Sequence, residues 1–568
     1  MANGIEAQLI DLVAVFLLAG GVGVFVAKVG RFPYTIALLL AGLGVSVAGI
    51  DLGIELSHDV ILFVILPPLL FEGAADTEME QFRRNLPIIL TLAVVGLLGS
   101  TVVLAALARP ILGFPITVAL LFAAMILPTD PVSVLALFDE LGAPDRLSVL
   151  VEGESLINDG VGVVVFIAVL DLTLTVANGE RTAAGVLDPS SLATVGGGIL
   201  VSALGGAVVG LLAGYAIYRV MATLDEHMTE TVLALILAYG SFLLAEHYVH
   251  VSGVIAVVAA GLLIGNRGAE EAMSPQTKIT VFNTLETGAF IANTFVFLTI
   301  GVQTPIGQLL RYADLILLAV PLVLFARATT LYPLVAVYNR AATHNYVDSQ
   351  PIPWTYQHVM LWGGLHASIP IALVIGLPPG TPFREQLRAL VFGVAAFSLV
   401  VQGLTMSNLL DRLGVVTQSD AKRLYELLVG RRRAVDDALD AAERLYRRGE
   451  IPGTVHRAFT DEYEDERDTL SDAIEELLAE NPELRREQLL IAERRILKRE
   501  KSAVMDAMRN GVVGDEAGEA LLDEVNLKLD TVQNGDSTVE TGEEGYREFW
   551  RNQAAEFGLD AVDEQTEG

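Results

Sequence analysis

No cysteine occurs in the 568 residues, which excludes a disulfide framework, a thiolate metal site and a cysteine nucleophile. Lysine is nearly as scarce, supplying six of the 37 basic residues. Charge as a whole is thin: 18% of residues are charged, against about 25% in an ordinary soluble domain. Apolar residues fill the difference, at 52% of the chain with a mean hydropathy of +0.52. They come in successive uninterrupted runs, each long enough to cross ~30 Å of hydrocarbon, so one large soluble core is excluded. Because the runs do not alternate with polar residues, a membrane barrel is excluded as well. The opening MANGIEAQLI has no basic region ahead of its first apolar run, so no cleaved signal peptide is expected.

The net charge of -31 belongs to both halves of the chain. Residues 416–568 hold 38 acidic and 21 basic residues, and residues 1–415 hold 30 and 16. Nucleic acid is therefore not an expected partner, since a basic face is what displaces counterions from phosphates. An acidic, lysine-poor surface stays hydrated in concentrated salt, where self-repulsion is screened, so a halophilic host is expected; high genomic GC content is the other source of such an arginine bias.

Thirteen apolar runs lie between residues 9 and 412, predicting an all-α polytopic membrane protein in 1–415 followed by a cytosolic helical domain in 416–568. An odd number of spans puts the termini on opposite sides. Short loops on the C-terminal side carry nine Lys or Arg against four on the other, and Arg431, Arg432 and Arg433 follow the last run. The C-terminus is therefore placed in the cytoplasm of a multi-pass cell-membrane protein. In the tail Ser419, Asp461 and Asn481 or Pro482 are plausible helix starts, with breaks at Gly511 and Gly514. From Asn534 onward the composition is acidic and polar, predicting partial disorder.

Ionisable groups inside a span are costly, so each is a functional candidate. The fifth and sixth runs, 115–140 and 147–175, hold Thr129, Asp130, Glu154, Ser155, Asn158 and Asp159. On a helix Ser155 and Asp159 share a face, as do Glu154 and Asn158. Hard oxygen donors without sulfur or clustered histidine suit Na+ or another hard monovalent cation and call for no cofactor. The competing reading is a polar network that only locks two helices together. Pro128 and Pro131 flank Thr129 and Asp130, predicting a fifth span unwound at mid-membrane. Seven runs later Ser368 and Pro370 in HASIPIALVIGLP mark the twelfth. Two interrupted helices at matching places in two halves are the pattern of an inverted-repeat transporter.

LPTDPVSV (127–134) followed by VEGESLINDGVGVVVF (151–166) resembles the paired motifs of sodium/proton antiporters of the monovalent cation:proton antiporter-1 family, whose members include prokaryotic NhaP-like proteins and animal sodium/proton exchangers. ILPPLLFEGA (65–74), HVSGVIAVVAAGLLIGN (250–266), WGGLHASIPIAL (362–373) and FSLVVQGLT (397–405) match in family order. The resemblance implies that Asp159 binds cation and proton alternately with Asn158 as its partner. It also implies that Thr129, Asp130 and Ser155 complete the site, with Na+ held at Asp159, Ser155 and Thr129. Glu154 is implied to pair with Arg327 in VLFARATTLY, and the protein to be a homodimer. The position after WGGL is commonly Arg in the family and is His366 here, so a second pair with Glu72 is expected to be pH-linked.

A single carboxylate that must lose its proton to accept Na+ gives one-for-one, electroneutral exchange with Na+ or Li+, serving Na+ and pH homeostasis. Potassium/proton exchange and a cation channel are the alternatives, although no K+-type filter such as TVGYG is present. The tail has no catalytic or nucleotide motif, and no enzyme activity is expected.

Overall fold

The computed structural model describes residues 2–29, 33–49, 59–77, 79–130, 132–179, 189–224, 226–273, 275–344, 350–415, 420–509, 512–533 and 537–538. Pro131, Ser419, Gly511 and, apart from Ser537 and Thr538, the stretch from Asn534 lie outside the described residues. All regular structure among the described residues is helical. That is what hydrocarbon demands, because a helix satisfies every backbone polar group within its own segment. Seven helical segments of 23 to 34 residues are long and apolar enough to cross a bilayer. Even the shortest spans about 35 Å at 1.5 Å per residue, so the chain is a multi-pass membrane protein.

The chain divides into two compact units, Met1–Thr417 and Gln418–Gly568. Within the first, two helix groups are distinguishable by what they pack against. One group contains α1 (Ala2–Val29), α2 (Tyr34–Val47) and α3 (Leu66–Asp76), which is preceded by a wide turn at Val60–Ile65. The other opens with α4 (Met79–Leu90), α5 (Leu97–Leu112), α6 (Ile116–Ile126), α7 (Val132–Leu141) and α8 (Asp145–Ala177). Returning to the first group, the chain forms α9 (Pro189–Met221), α10 (His227–Leu243), α11 (Gly253–Leu263) and α12 (Pro275–Val302). It closes in the second with α13 (Ile306–Arg311), α14 (Ala313–Thr343), α15 (Trp354–Trp362), α16 (Ser368–Ile375), α17 (Arg384–Phe397) and α18 (Gly403–Leu413).

Packing follows that division. In the first group α2 lies along α12, and α11 is sandwiched by α9, α3 and α10. In the second, α6 is surrounded by α5, α8, α16 and α17, which is why residues 117–127 other than the half-buried Leu120 are almost fully buried. The groups meet chiefly where α8 touches α9, α11 and α3. Each interrupted helix, α6–α7 and α15–α16, stands second in a series of long, interrupted and long segments.

Pro128 stands just past the end of α6, as expected for a residue without an N–H. The twelfth run breaks elsewhere than the sequence predicts. Its helix stops at Trp362 and resumes at Ser368, with the interruption over Gly363–Ala367. Pro370 sits in the first turn of α16, where a missing N–H costs nothing.

The second unit holds α19 (Asp420–Arg447), α20 (Gly453–Glu480), α21 (Pro482–Arg509) and α22 (Asp515–Gln533). α19 pairs with α20 and α21 with α22, the latter pair around Leu497, Val525, Leu529 and Val532. Asp461 is not a helix start. α20 begins eight residues earlier at Gly453, behind Pro452, whose fixed φ serves the N-terminal boundary better than a mid-sequence Asp.

Candidate ion site

α8 runs beside the unwound residues that follow α6, and a stripe of its side chains faces them. Ser155, Asp159 and Gly162 recur at the four- and three-residue spacing of one helix face. At the top of the stripe Thr129 Oγ1 and Ser155 Oγ are 3.2 Å apart, and the Ser155 hydroxyl donates to the Thr129 carbonyl. At the bottom Gly162 touches Pro128 so closely that a Cβ there would lie 2.4 Å from the proline ring. Only glycine lets the helix approach this near, and Asp159 lies between the two contacts. Asn158 clamps the same segment from the next position. Its Oδ1 accepts from the Thr129 N–H at 3.2 Å and its Nδ2 donates to Thr129 Oγ1 at 3.0 Å.

The four groups nevertheless differ in what they have left to offer. Thr129, Ser155 and Asn158 satisfy one another, and all are buried. Asp159 is buried too, yet its Oδ1 has no hydrogen-bond partner. Burying an unpartnered carboxylate oxygen costs free energy unless a proton or cation occupies it.

Asp130 is engaged differently. Its backbone N–H donates to the Leu365 carbonyl at 2.7 Å, which ties the two interrupted helices together. Its carboxylate accepts from the Val132 N–H at 3.1 Å and from the Ser368 hydroxyl at 2.8 Å, at the N-terminus of α16. A negative charge is favoured there by the helix dipole. Asp130 lies within electrostatic reach of Asp159, but its oxygens are occupied by protein donors. Glu154 and Arg327 form a buried ion pair at 2.8 Å, and Arg327 also donates to the Met360 carbonyl at 3.3 Å. The guanidinium passes over Gly364, where a Cβ would lie 2.6 Å from Nε.

The pair between Glu72 and His366 does not form. His366 is fully enclosed where the interrupted helices cross, with Nδ1 3.2 Å from the Pro128 carbonyl and its backbone N–H on Ser398 Oγ at 3.0 Å. Glu72 sits half-buried on α3, and the charges acting on it are Asp76 and Glu286. The enclosed ring spends Nδ1 on the Pro128 carbonyl, and its buried Nε2 meets no carboxylate.

Several contributing residues carried no sequence signal of their own. Ser398, Gly162 and Gly364 are common residue types whose partners lie 32 or more positions away. Only Gly363–Gly364, as a pair inside an apolar run, marked a break that could have been found.

Two interrupted helices crossing at mid-bundle, with half-helix ends and unwound carbonyls around a buried carboxylate, define a secondary ion transporter. Residues 13–412 match the family described as "Sodium/hydrogen exchanger, transmembrane". The chain belongs to that family. It is 36% identical to the Na(+)/H(+) antiporter ApNhaP of Aphanothece halophytica over 72% of this chain and 75% of that protein. It is 33% identical to the Na(+)/H(+) antiporter NhaG of Bacillus atrophaeus over 89% and 94%. The sodium proton antiporter MjNhaP1 from Methanocaldococcus jannaschii shares its fold, with a TM-score of 0.56 at 18% identity over 72% of this chain and 99% of that one.

Proposed function

We propose that the chain is an electroneutral antiporter that exchanges one cytoplasmic Na+ or Li+ for one H+ by alternating access, in Na+ and pH homeostasis. The observation that carries this reading is the unpartnered, buried Asp159 carboxylate beside the Thr129 and Ser155 oxygens. Na+ would be held by Asp159, Ser155 and Thr129, with Asn158 fixing the unwound segment around it. A proton on the same carboxylate excludes the cation, so the two ligands take turns. Both carry one positive charge, and the protein therefore moves no net charge per cycle. Turnover is greatest at intermediate pH, since protons keep Na+ off at low pH and are too scarce to return at high pH.

Asp130 and Glu154, although buried nearby, are held by Ser368 and Arg327. That supports a single carrier carboxylate. The helix order supports thirteen spans with an inverted repeat of long, interrupted and long segments. It also supports a bundle of α4–α8 and α13–α18 moving against α1–α3 and α9–α12, with the first spans forming the contact of a homodimer. Loop charge supports a cell-membrane protein with its C-terminus in the cytoplasm, and the acidic, lysine-poor composition supports a high-salt host.

Proteoliposomes with an imposed pH gradient test the stoichiometry. Addition of Na+ is expected to dissipate the gradient at the same rate with and without a K+/valinomycin clamp. Exchange that generates a membrane potential, or that accelerates under an inside-negative one, would mean that Asp130 or Glu154 carries a second proton.

A further inference from the structure

The motif GLLIGN ends in a residue that the ion site does not use. Asn266 lies in the wide helical turn Ile264–Ala272 that continues α11. Its Oδ1 accepts from the Met79 N–H at 2.9 Å, and its Nδ2 donates to the Thr77 carbonyl at 3.1 Å and to the Leu262 carbonyl of its own helix at 3.0 Å. One amide thus grips the chain on both sides of the α3–α4 junction. That junction is where the polypeptide passes from one helix group to the other: α3 packs on α10, α11 and α12, whereas α4 packs on α8. By alternation of helix direction, the passages from α8 to α9 and from α12 to α13 lie at the opposite face of the membrane.

A second contact at the junction reaches the other way. Thr77 is buried, and its hydroxyl is shared between the Gly73 carbonyl at 2.8 Å and Glu152 Oε1 on α8 at 3.3 Å. Beside it opens a cavity of about 330 Å³ lined by Asp76, Thr77, Gln81, Asp145, Ser148 and Glu152. The two contacts are unequal. Two bonds from one planar amide, itself tied back to its own helix by a third, fix the junction to α11, within the first group. Thr77 reaches the second group through one long, shared hydroxyl bond to Glu152. If the groups shift, the weaker link breaks first and the junction stays with α11.

We propose that Asn266 is a positioning residue that makes the α3–α4 junction the pivot of the transport motion, and that the Thr77–Glu152 contact opens and closes once per cycle. This rests on the alternating-access reading above. Because the protein has no cysteine, introduced pairs can be cross-linked without background. In proteoliposomes Asn266→Ala is expected to lower turnover by about tenfold or more, the signature of a lost conformational step and not of lost binding. Na+ affinity, read from thermal stabilisation by Na+, is expected to stay unchanged. Asn266→Asp keeps the acceptor for Met79 and is expected to fall between the two.

Met79→Cys with Asn266→Cys should be slow until a short bismethanethiosulfonate joins the pair, and then recover, because the covalent link replaces the amide anchor. Thr77→Cys with Glu152→Cys should be active until joined, stop when joined, and resume on reduction. The proposal is overturned if Asn266→Ala weakens Na+ binding together with turnover or changes neither. It is equally overturned if the joined 79/266 pair stays inactive or the joined 77/152 pair stays active. Absence of Na+-dependent proton movement in the unaltered protein would overturn the transport reading itself, and is told apart by being seen before any substitution is made.

Discussion

Asp159→Ala is expected to abolish Na+-dependent proton movement in proteoliposomes while leaving the protein folded. Thr129, Ser155 and Asn158 form a closed set of mutual hydrogen bonds, so they can offer lone pairs to an ion but cannot exchange a proton for it. Asp159 alone in this group is ionisable, and its Oδ1 is the buried oxygen with no partner. Removing it leaves no donor unpaired at that oxygen and relieves the cost of holding a carboxylate away from water. The variant should therefore melt no lower than the parent in Na+-free buffer. Ligand linkage sharpens the comparison: Na+ at a hundred times its Kd stabilises a competent protein by about 2.7 kcal/mol. The parent is expected to gain thermal stability with Na+, and Asp159→Ala none. Residual exchange at the parent's rate would remove this carboxylate from the mechanism.

The Glu154–Arg327 pair should behave in the opposite way, through stability first. Both groups are buried, and the pair joins α8 to α14 while Arg327 also reaches α15 through the Met360 carbonyl. Breaking a buried pair from one side leaves an uncompensated charge and costs about 3 to 5 kcal/mol. Glu154→Ala and Arg327→Ala are each expected to express poorly and to melt at much lower temperature. The double variant removes both charges and should recover part of the loss. A thermal-melt cycle in detergent reads the coupling; well-folded single variants with simply additive effects would contradict the pairing. Arg327 Nη2 donates to both the Glu154 carboxylate and the Met360 carbonyl, so a lysine at this position, a point charge without the planar guanidinium, is expected to replace it poorly.

How far the sequence alone reaches depends on the range of the interaction. The apolar runs, the unwound segment after α6 and the common face of Ser155 and Asp159 were legible because each rests on local chemistry: hydropathy, a proline's missing N–H, and helix periodicity. The second interruption was legible as an event but misplaced, because Pro370 draws attention while Gly363 and Gly364 do the breaking. Side-chain partners across the bundle were legible only where a family resemblance supplied them, as for Glu154 and Arg327. Where this chain departs from the family, at His366, the expected partner was wrong. The imidazole takes up the Pro128 carbonyl beside it, 238 positions away in sequence, and no sequence pattern encodes that choice. Asn266 teaches the same lesson from the other side. Its amide was part of a recognisable motif, but its job at the α3–α4 junction appears only when residues 77, 79 and 266 are brought together.

Competition between Na+ and H+ for one carboxylate is the central claim, and the apparent Na+ KM measured against pH tests it most directly. Initial rates of exchange in proteoliposomes, with the membrane potential clamped, would be collected over a full range of Na+ at each pH from 5 to 9. On the acid side, competition predicts that KM rises about tenfold for each unit by which pH falls, as expected when one proton must leave for one cation to bind, with the maximal rate unchanged. A KM that is independent of pH, with the maximal rate alone falling in acid, would show that Na+ and H+ do not share Asp159 and would contradict the account.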